Sequence, residues 1–186
     1  MNKQKIYLDM DGVVADWRAN ALRVLGKEAA PGEMYPDVEW HRLRDNPHLF
    51  LELPVMPRAA ELVNIARKYR DQLGWELLFL TAIPHNNDLP WAFHDKAEWA
   101  RLHFTDIPVH FGPYSVDKHL HCSLPGDILV DDRQDNCRDW TRAGGLAFKV
   151  ARTLDSVILE LEADYESRVE NIVRSLDLRR LIVETL

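Results

Sequence analysis

A chain of 186 residues, 46% apolar and 28% charged, holds enough hydrophobic material for one packed core. At about 150 residues per domain it is too short for two full domains, and the composition excludes disordered and fibrous classes, which leaves one compact unit with an insertion or tail. Lys and Arg number 23 against 30 Asp and Glu, a formal net charge of −7 that disfavours duplex nucleic acid and requires a local positive site for any small anion.

The opening Met1-Asn2-Lys3-Gln4-Lys5 is followed by only Ile6-Tyr7-Leu8 before Asp9, too short an apolar run for a secretory leader. No run approaches the roughly 18 residues of a membrane span, so the expected compartment is the cytoplasm and no membrane partner is expected. Cys122 and Cys137 are expected there as reduced thiols.

Lys5 to Asp9 reads as a short buried strand closed by an acid, with Gly12 permitting a tight turn. Residues 16–57 change character. Pro31, Gly32, Pro36, Pro47, Pro54 and Pro57 lie among the aromatics Trp17, Tyr35, Trp40 and Phe50, which predicts a small helical cap insertion. The spacing of Ala59, Leu62, Val63 and Ala66 predicts a helix to about Arg70, stopped by Gly74. Trp75 to Leu80 is the second buried strand. Thr81 ends it, and a polar loop over 82–90 leads into a helix from Trp91 to Phe104. Val109 to Phe111 is a weak third strand, Ile128 to Val130 a strong fourth closed by Asp131-Asp132, and Leu146 to Val150 a fifth.

Strands alternating with helices predict an α/β fold: a Rossmann-like, mostly parallel sheet with helices on both faces. Its core comprises residues 1–15 and 58–152, the cap 16–57 and a C-terminal helical tail 153–186. In the tail, Leu154, Val157, Ile158 and Leu161 share a face continued by Val169, Ile172, Val173 and Leu176, a stripe suited to packing or to a homo-oligomer. One helix over 154–184 would be about 46 Å long at 1.5 Å per residue. The tail is therefore expected to break, with Ser175 and Asp177 as caps for a restart, or to project.

Ligands bind beyond the carboxyl ends of strands in open parallel sheets, where Asp9, Thr81 and Asp131 stand. Singly, each has an ordinary structural role as a helix cap or turn hydroxyl. Jointly with Asp11 and Asp132, the acids converge on one sheet edge and repel unless a cation sits among them. A hard divalent ion such as Mg²⁺, with a phosphate in its shell, suits that charge and makes phosphoryl transfer the natural chemistry. Such chemistry requires a nucleophile, a proton donor for the leaving oxygen, and cationic or hydrogen-bonding groups around the phosphoryl oxygens.

The segment Asp9 to Asp16 (DMDGVVAD), Thr81 after an apolar strand, Lys118 and Asp131-Asp132 resemble the four ordered motifs of the haloacid dehalogenase superfamily of phosphatases. More narrowly, Asp-Met-Asp-Gly-Val followed by Ala-Asp and an aromatic, Lys96-Ala97-Glu98-Trp99, and Leu129 to Arg133 resemble the 5′(3′)-deoxyribonucleotidases. That resemblance spans roughly residues 5–150 and leaves the tail uncovered. It implies Asp9 as the nucleophile that forms an aspartyl-phosphate, and Asp11 as the acid for the leaving oxygen and then the base for water. It implies Mg²⁺ held by Asp9, the Asp11 carbonyl, and Asp131 or Asp132; phosphate contacts from Thr81, the Ala82 amide and Lys118; and substrate contacts from Trp17, which faces the base, His85, Lys96 and Arg133. The chemistry agrees, since a weakly basic carboxylate leaves readily and a second aspartic acid holds a proton where like charges raise its pKa.

The chain departs from the family pattern in three places. Arg58 follows Pro57 where the family often has glycine, His85 stands where relatives place a lysine, and the insertion is shorter than in the animal enzymes. The expected activity is Mg²⁺-dependent hydrolysis of nucleoside monophosphates; the alternative is a phosphatase of the same superfamily for another small metabolite, such as a sugar phosphate. Stacking of a base on Trp17, Tyr35, Trp40 or Phe50 favours the nucleotide, although the same rings suit a cap core. A signalling receiver module would carry its acid pair on the first strand and its lysine last, whereas here Asp131-Asp132 follows Lys118. An inactive scaffold is opposed by the intact Asp9 and Asp11.

Overall fold

The computed structural model describes residues 2–27, 40–84, 89–112, 114–150 and 158–185, the last segment with side chains from 165 onward. Tyr35, His85, Leu154 and Val157, singled out above, lie outside the described residues, as do the side chains of Ile158 and Leu161. Strand β1 (Lys5–Leu8) buries Ile6, Tyr7 and Leu8. It is an unbroken apolar run because both faces of a central parallel strand are covered. It pairs with β2 (Glu76–Thr81) on one side and β4 (Ile128–Asp131) on the other, while β3 (Val109–Phe111) and β5 (Leu146–Lys149) form the edges. Every pairing is parallel, in the order β3-β2-β1-β4-β5. The α/β fold with a parallel sheet is the one expected.

Helix α1 (Trp17–Leu25) is capped by Asp16, whose side chain accepts from the Ala19 amide at 2.9 Å. It is followed by the single turn α2 (Trp40–Leu43), then α3 (Ala59–Leu73), α4 (Ala92–His103), α5 (Gln134–Arg142) and α6 (Ile158–Glu184). One sheet face, with Ile6, Leu8, Phe79 and Val130, is closed by α3 and α6 and shares its apolar cluster with Ala21, Leu43 and Phe50 from the insertion. Tyr7, Leu78, Leu80 and Leu129 point to the other face, where Trp140 of α5 covers them.

One element goes beyond the sequence reading, and one expectation needs correction. A 3₁₀ helix, Ser115–His121, fills the connection between β3 and β4 and carries Lys118, in a stretch without an apolar period to announce it. The tail does not restart at Ser175 or Asp177, because α6 runs unbroken through both. Packing overrides local propensity there: Val169, Ile172 and Leu176 are buried, Tyr69 Oη on α3 donates to the Leu176 carbonyl at 2.8 Å, and Asp177 accepts from Arg180 rather than capping. Past that contact Arg180 stays buried and donates to Gln72 of α3 at 2.5 Å, while Leu178, Leu181 and Ile182 are exposed. Both cysteines are free thiols. Among the described residues no helix is long and apolar enough to cross a membrane.

Candidate active site

The strand order reverses between β1 and β4, so the crevice of the sheet opens where these two strands end. Asp9 is the first residue after β1, its amide still donating to Val130 at 2.9 Å, and Asp131 is the last of β4. One oxygen each from Asp9, Asp131 and Asp132 lie within 4.8 Å of one another. Gly12 makes this approach feasible. Its φ is +76°, and a Cβ there would stand 2.7 Å from Asp132 Oδ2, so a larger residue would both strain the turn and strike the carboxylate.

Lys118, 2% exposed, donates 2.7 Å bonds to Asp9 Oδ2 and Asp131 Oδ2. Asp131 is further held by the Arg133 amide at 2.8 Å and by Asn136 Nδ2 at 2.9 and 3.1 Å. Asp132 accepts no hydrogen bond from the described residues. Burial pushes the Asp9 carboxyl up to about 7, with Lys118 opposing and Asp131 and Asp11 reinforcing. Asp132 is driven up by desolvation first, then by Asp131 and Asp9. Desolvation works against the Lys118 charge, but Asp131 and Asp9 outweigh it and raise its pKa. One ammonium among these acids leaves surplus negative charge, and an all-oxygen donor set suits a hard divalent cation.

Across the crevice, Lys96 of α4 is 1% exposed and donates to Asp11 Oδ2 at 2.5 Å and to Thr81 Oγ1 at 2.9 Å. Its ammonium also lies 4.5 Å from the centre of the Phe50 ring. Phe50 in turn stacks on Trp17 at 5.0 Å and 22°, and Trp40 tilts against Trp17 at 6.0 Å. Asp11 Oδ1 is buried without a hydrogen-bond partner among the described residues. Ala82 follows Thr81 and is partly exposed, and Arg133 reaches the centre through its amide while its side chain stays exposed. An open groove of about 380 Å³ between α4 and β3 is lined by none of these residues.

Over residues 3–157 the chain matches the family of 5′ nucleotidase, deoxy (pyrimidine), cytosolic type C protein (NT5C). It belongs to this family. Two proteins from strains of Staphylococcus epidermidis, each named "Putative 5'(3')-deoxyribonucleotidase", are 28% identical to it over 147 residues, covering 71% of this chain and 75% of theirs. A crystal structure of CbbY from Rhodobacter sphaeroides in complex with phosphate aligns with a TM-score of 0.46 and 13% identity, over 82% of this chain and 88% of that one. Membership in the NT5C family makes the protein a hydrolase, a phosphatase of the 5′-nucleotidase type, and bears out the resemblance seen in the sequence.

Asp9, Asp11, Thr81, Lys96, Lys118, Asp131 and Asp132 thus come together around the crevice, while Trp17 stands one ring further out. Asn136 was missed. Its only signal is a weak helix former in the first turns of a helix that follows an acid pair. Phe50, expected either to stack on a base or to fill a cap core, is buried and packs beneath the Lys96 ammonium.

Proposed function

We propose that the protein is a Mg²⁺-dependent phosphomonoesterase that hydrolyses 5′(3′)-(deoxy)ribonucleoside monophosphates to nucleoside and phosphate through an aspartyl-phosphate on Asp9. The observation that carries this reading is the trio Asp9, Asp131 and Asp132 gathered beside Lys118 at the end of β1 in a chain of the NT5C family. Asp9, Asp132 and the Asp11 carbonyl suit the cation best, because Asp131 already accepts four hydrogen bonds whereas Asp132 accepts none from the described residues. Bound there, Mg²⁺ supplies positive charge that offsets the carboxylates and the phosphate.

Asp9 attacks phosphorus as the bond to the nucleoside oxygen breaks, and Asp11 gives its proton to that oxygen. Lys96 occupies Asp11 Oδ2, so the proton is carried on Oδ1, the atom without a partner. In the second half Asp11, now ionised, takes a proton from water as the water oxygen bonds to phosphorus. The bond to Asp9 then breaks, releasing phosphate and restoring the carboxylate. Thr81 Oγ1 accepts from Lys96, which leaves its own O–H proton for a phosphate oxygen. Lys118 spends two protons on Asp9 and Asp131 and keeps one for the phosphate, and the Ala82 amide serves as a further donor to it.

The nucleotide assignment is supported by the family description, by the names of the relatives and by the Trp17 ring, stacked on Phe50 and ready to meet a base. His85 and Arg133 complete the substrate contacts in this reading. Residues 16–57 act as the cap over a core of 1–15 and 58–152, the enzyme works in the cytoplasm, and the exposed end of α6 is available for self-association. A phosphate-release screen over nucleoside monophosphates and sugar phosphates tests the proposal. Mg²⁺ should support hydrolysis of the nucleotides and excess EDTA should stop it. Full activity in EDTA would remove the metal, and preference for a sugar phosphate would remove the nucleotide.

A further inference from the structure

Helix α6 lies beyond residues 3–157, the part matched to the family, yet it reaches the catalytic loop. Tyr165 Oη donates to the Val13 carbonyl at 2.9 Å across 152 residues, and both residues are buried. Val13 stands two positions after Asp11. Three other carbonyls around this turn, those of Met10, Val14 and Ala15, have backbone partners. Met10 O accepts from the amides of Val13, Val14 and Ala15 at 3.2, 2.9 and 2.8 Å, Ala15 O from Gly12 at 2.8 Å, and Val14 O from Met56 at 2.9 Å. The Val13 carbonyl is the point at which α6 holds the turn.

The next residue of α6 meets the chain where it returns from the insertion. Arg58, placed where the family often has glycine, has φ −114°, so its backbone needs none of glycine's freedom. Its guanidinium grips Glu61 at 2.7 and 2.5 Å and donates to the Glu166 carbonyl at 2.8 Å, with Glu170 at 3.7 Å. The chain leaves the core beside Val13 and returns beside Arg58, and between them Ala15 pairs with Val55 and the Asp16 amide donates to Pro54 at 2.7 Å. α6 touches the base of the insertion on both sides.

We propose that α6 is a positioning element for the catalytic loop, with Tyr165 holding the Val13 carbonyl and through it the orientation of Asp11. The inference rests on the hydrolase reading above. A buried carbonyl deprived of its donor must turn to find another, and here it belongs to the hydrogen-bonded turn that carries Asp11 and Gly12. Asp11 works as the bonds to phosphorus change, whereas Lys118, Thr81 and the aromatic rings hold the substrate, so misplacing Asp11 lowers kcat with little change in KM.

Tyr165→Phe removes only the hydroxyl, and Ile172→Ala, in the buried face of the same helix, serves as the comparison for plain loss of packing. Tyr165→Phe should lower kcat about 5- to 50-fold on a nucleoside monophosphate with KM within about twofold. It should also speed amide hydrogen exchange of Val13 to Ala15 by about tenfold or more while the sheet core stays protected. Ile172→Ala should lower the melting temperature, keep wild-type kcat well below it, and leave exchange in that loop unchanged. Wild-type kcat in Tyr165→Phe, or the same loop exchange in the two variants, would overturn the proposal. A wild-type protein inactive on every phosphate ester would count against the hydrolase reading instead, and the exchange measurement would still decide whether α6 holds the loop.

Discussion

On the β1–β4 side of the crevice Lys118 serves two enclosed carboxylates, with side-chain exposures of 2% for the lysine, 7% for Asp9 and 0% for Asp131. On the α4 side an equally buried lysine, Lys96, serves one carboxylate, Asp11, which is 30% exposed, and one hydroxyl. The first arrangement is a charge balance shut away from water, in which no member can be removed without stranding another. The second holds Asp11 by its Oδ2 alone, in a side chain that is partly open to solvent although its Oδ1 is buried. Two buried lysines in one cleft thus do different work, set by the accessibility of what they bind.

The largest expected effect comes from the enclosed side. Asp9→Asn should reduce phosphate release by about 10³-fold or more, roughly 4 kcal/mol, because the amide is no nucleophile and its NH₂ would face the Lys118 ammonium. Retention of more than about a tenth of the wild-type rate, a loss under about 1.4 kcal/mol, would take the nucleophile away from Asp9. Lys118→Met should cost about 3–5 kcal/mol in urea unfolding, since Asp9 and Asp131 are left buried without compensation. Lys96→Met should cost about 1–3 kcal/mol, because water reaches Asp11. Equal losses in the two lysine variants would erase the distinction between the sides.

Further out, Trp17→Ala should weaken kcat/KM for a nucleotide by roughly 5- to 150-fold, the equivalent of about 1–3 kcal/mol of stacking, and barely affect p-nitrophenyl phosphate. An equal loss on both would make Trp17 a support for Phe50 alone. The smallest effect belongs to the inverse arrangement on the surface, where one carboxylate, Asp106, lies between Arg67 and Arg70 at 2.6 and 2.7 Å. Arg67 first and then Arg70, against desolvation, hold its carboxyl below the usual range. Its stabilising effect is therefore present above the ordinary carboxylate pKa and is lost as pH falls through the depressed value. The side chain is 37% exposed, so Asp106→Asn should cost under about 1 kcal/mol in melts at neutral pH and nothing in strong acid. A cost that persists in acid would mean packing rather than charge.

Much of the enclosed side is legible in the linear pattern. A parallel strand covered on both faces is a continuous apolar run, so its first polar residue marks the sheet edge, as Asp9 does after Ile6-Tyr7-Leu8 and Asp131 after Ile128-Leu129-Val130. Gly12 is legible as a turn residue for a related reason, since the chain must reverse at once after the strand. On the other side Lys96 is reached only through the family resemblance, as a substrate contact: it lies 85 residues from Asp11, and its own spacing does not distinguish a lysine that turns inward from one that stays in water.

Local pattern by itself determined which strands form, that they lie parallel, and which acids stand at their ends, because burial on both faces and the turn after each strand are properties of a few consecutive residues. Only the tertiary structure decided that Asp131 is saturated by Lys118, Arg133 and Asn136 while Asp132 is not, that Arg58 needs no glycine conformation, and that α6 stays whole to place Tyr165 against the Val13 carbonyl. Those outcomes depend on hydrogen bonds and packing between segments far apart in the chain, whose strength is set by shared burial. Propensity and spacing, which are local, carry no record of it.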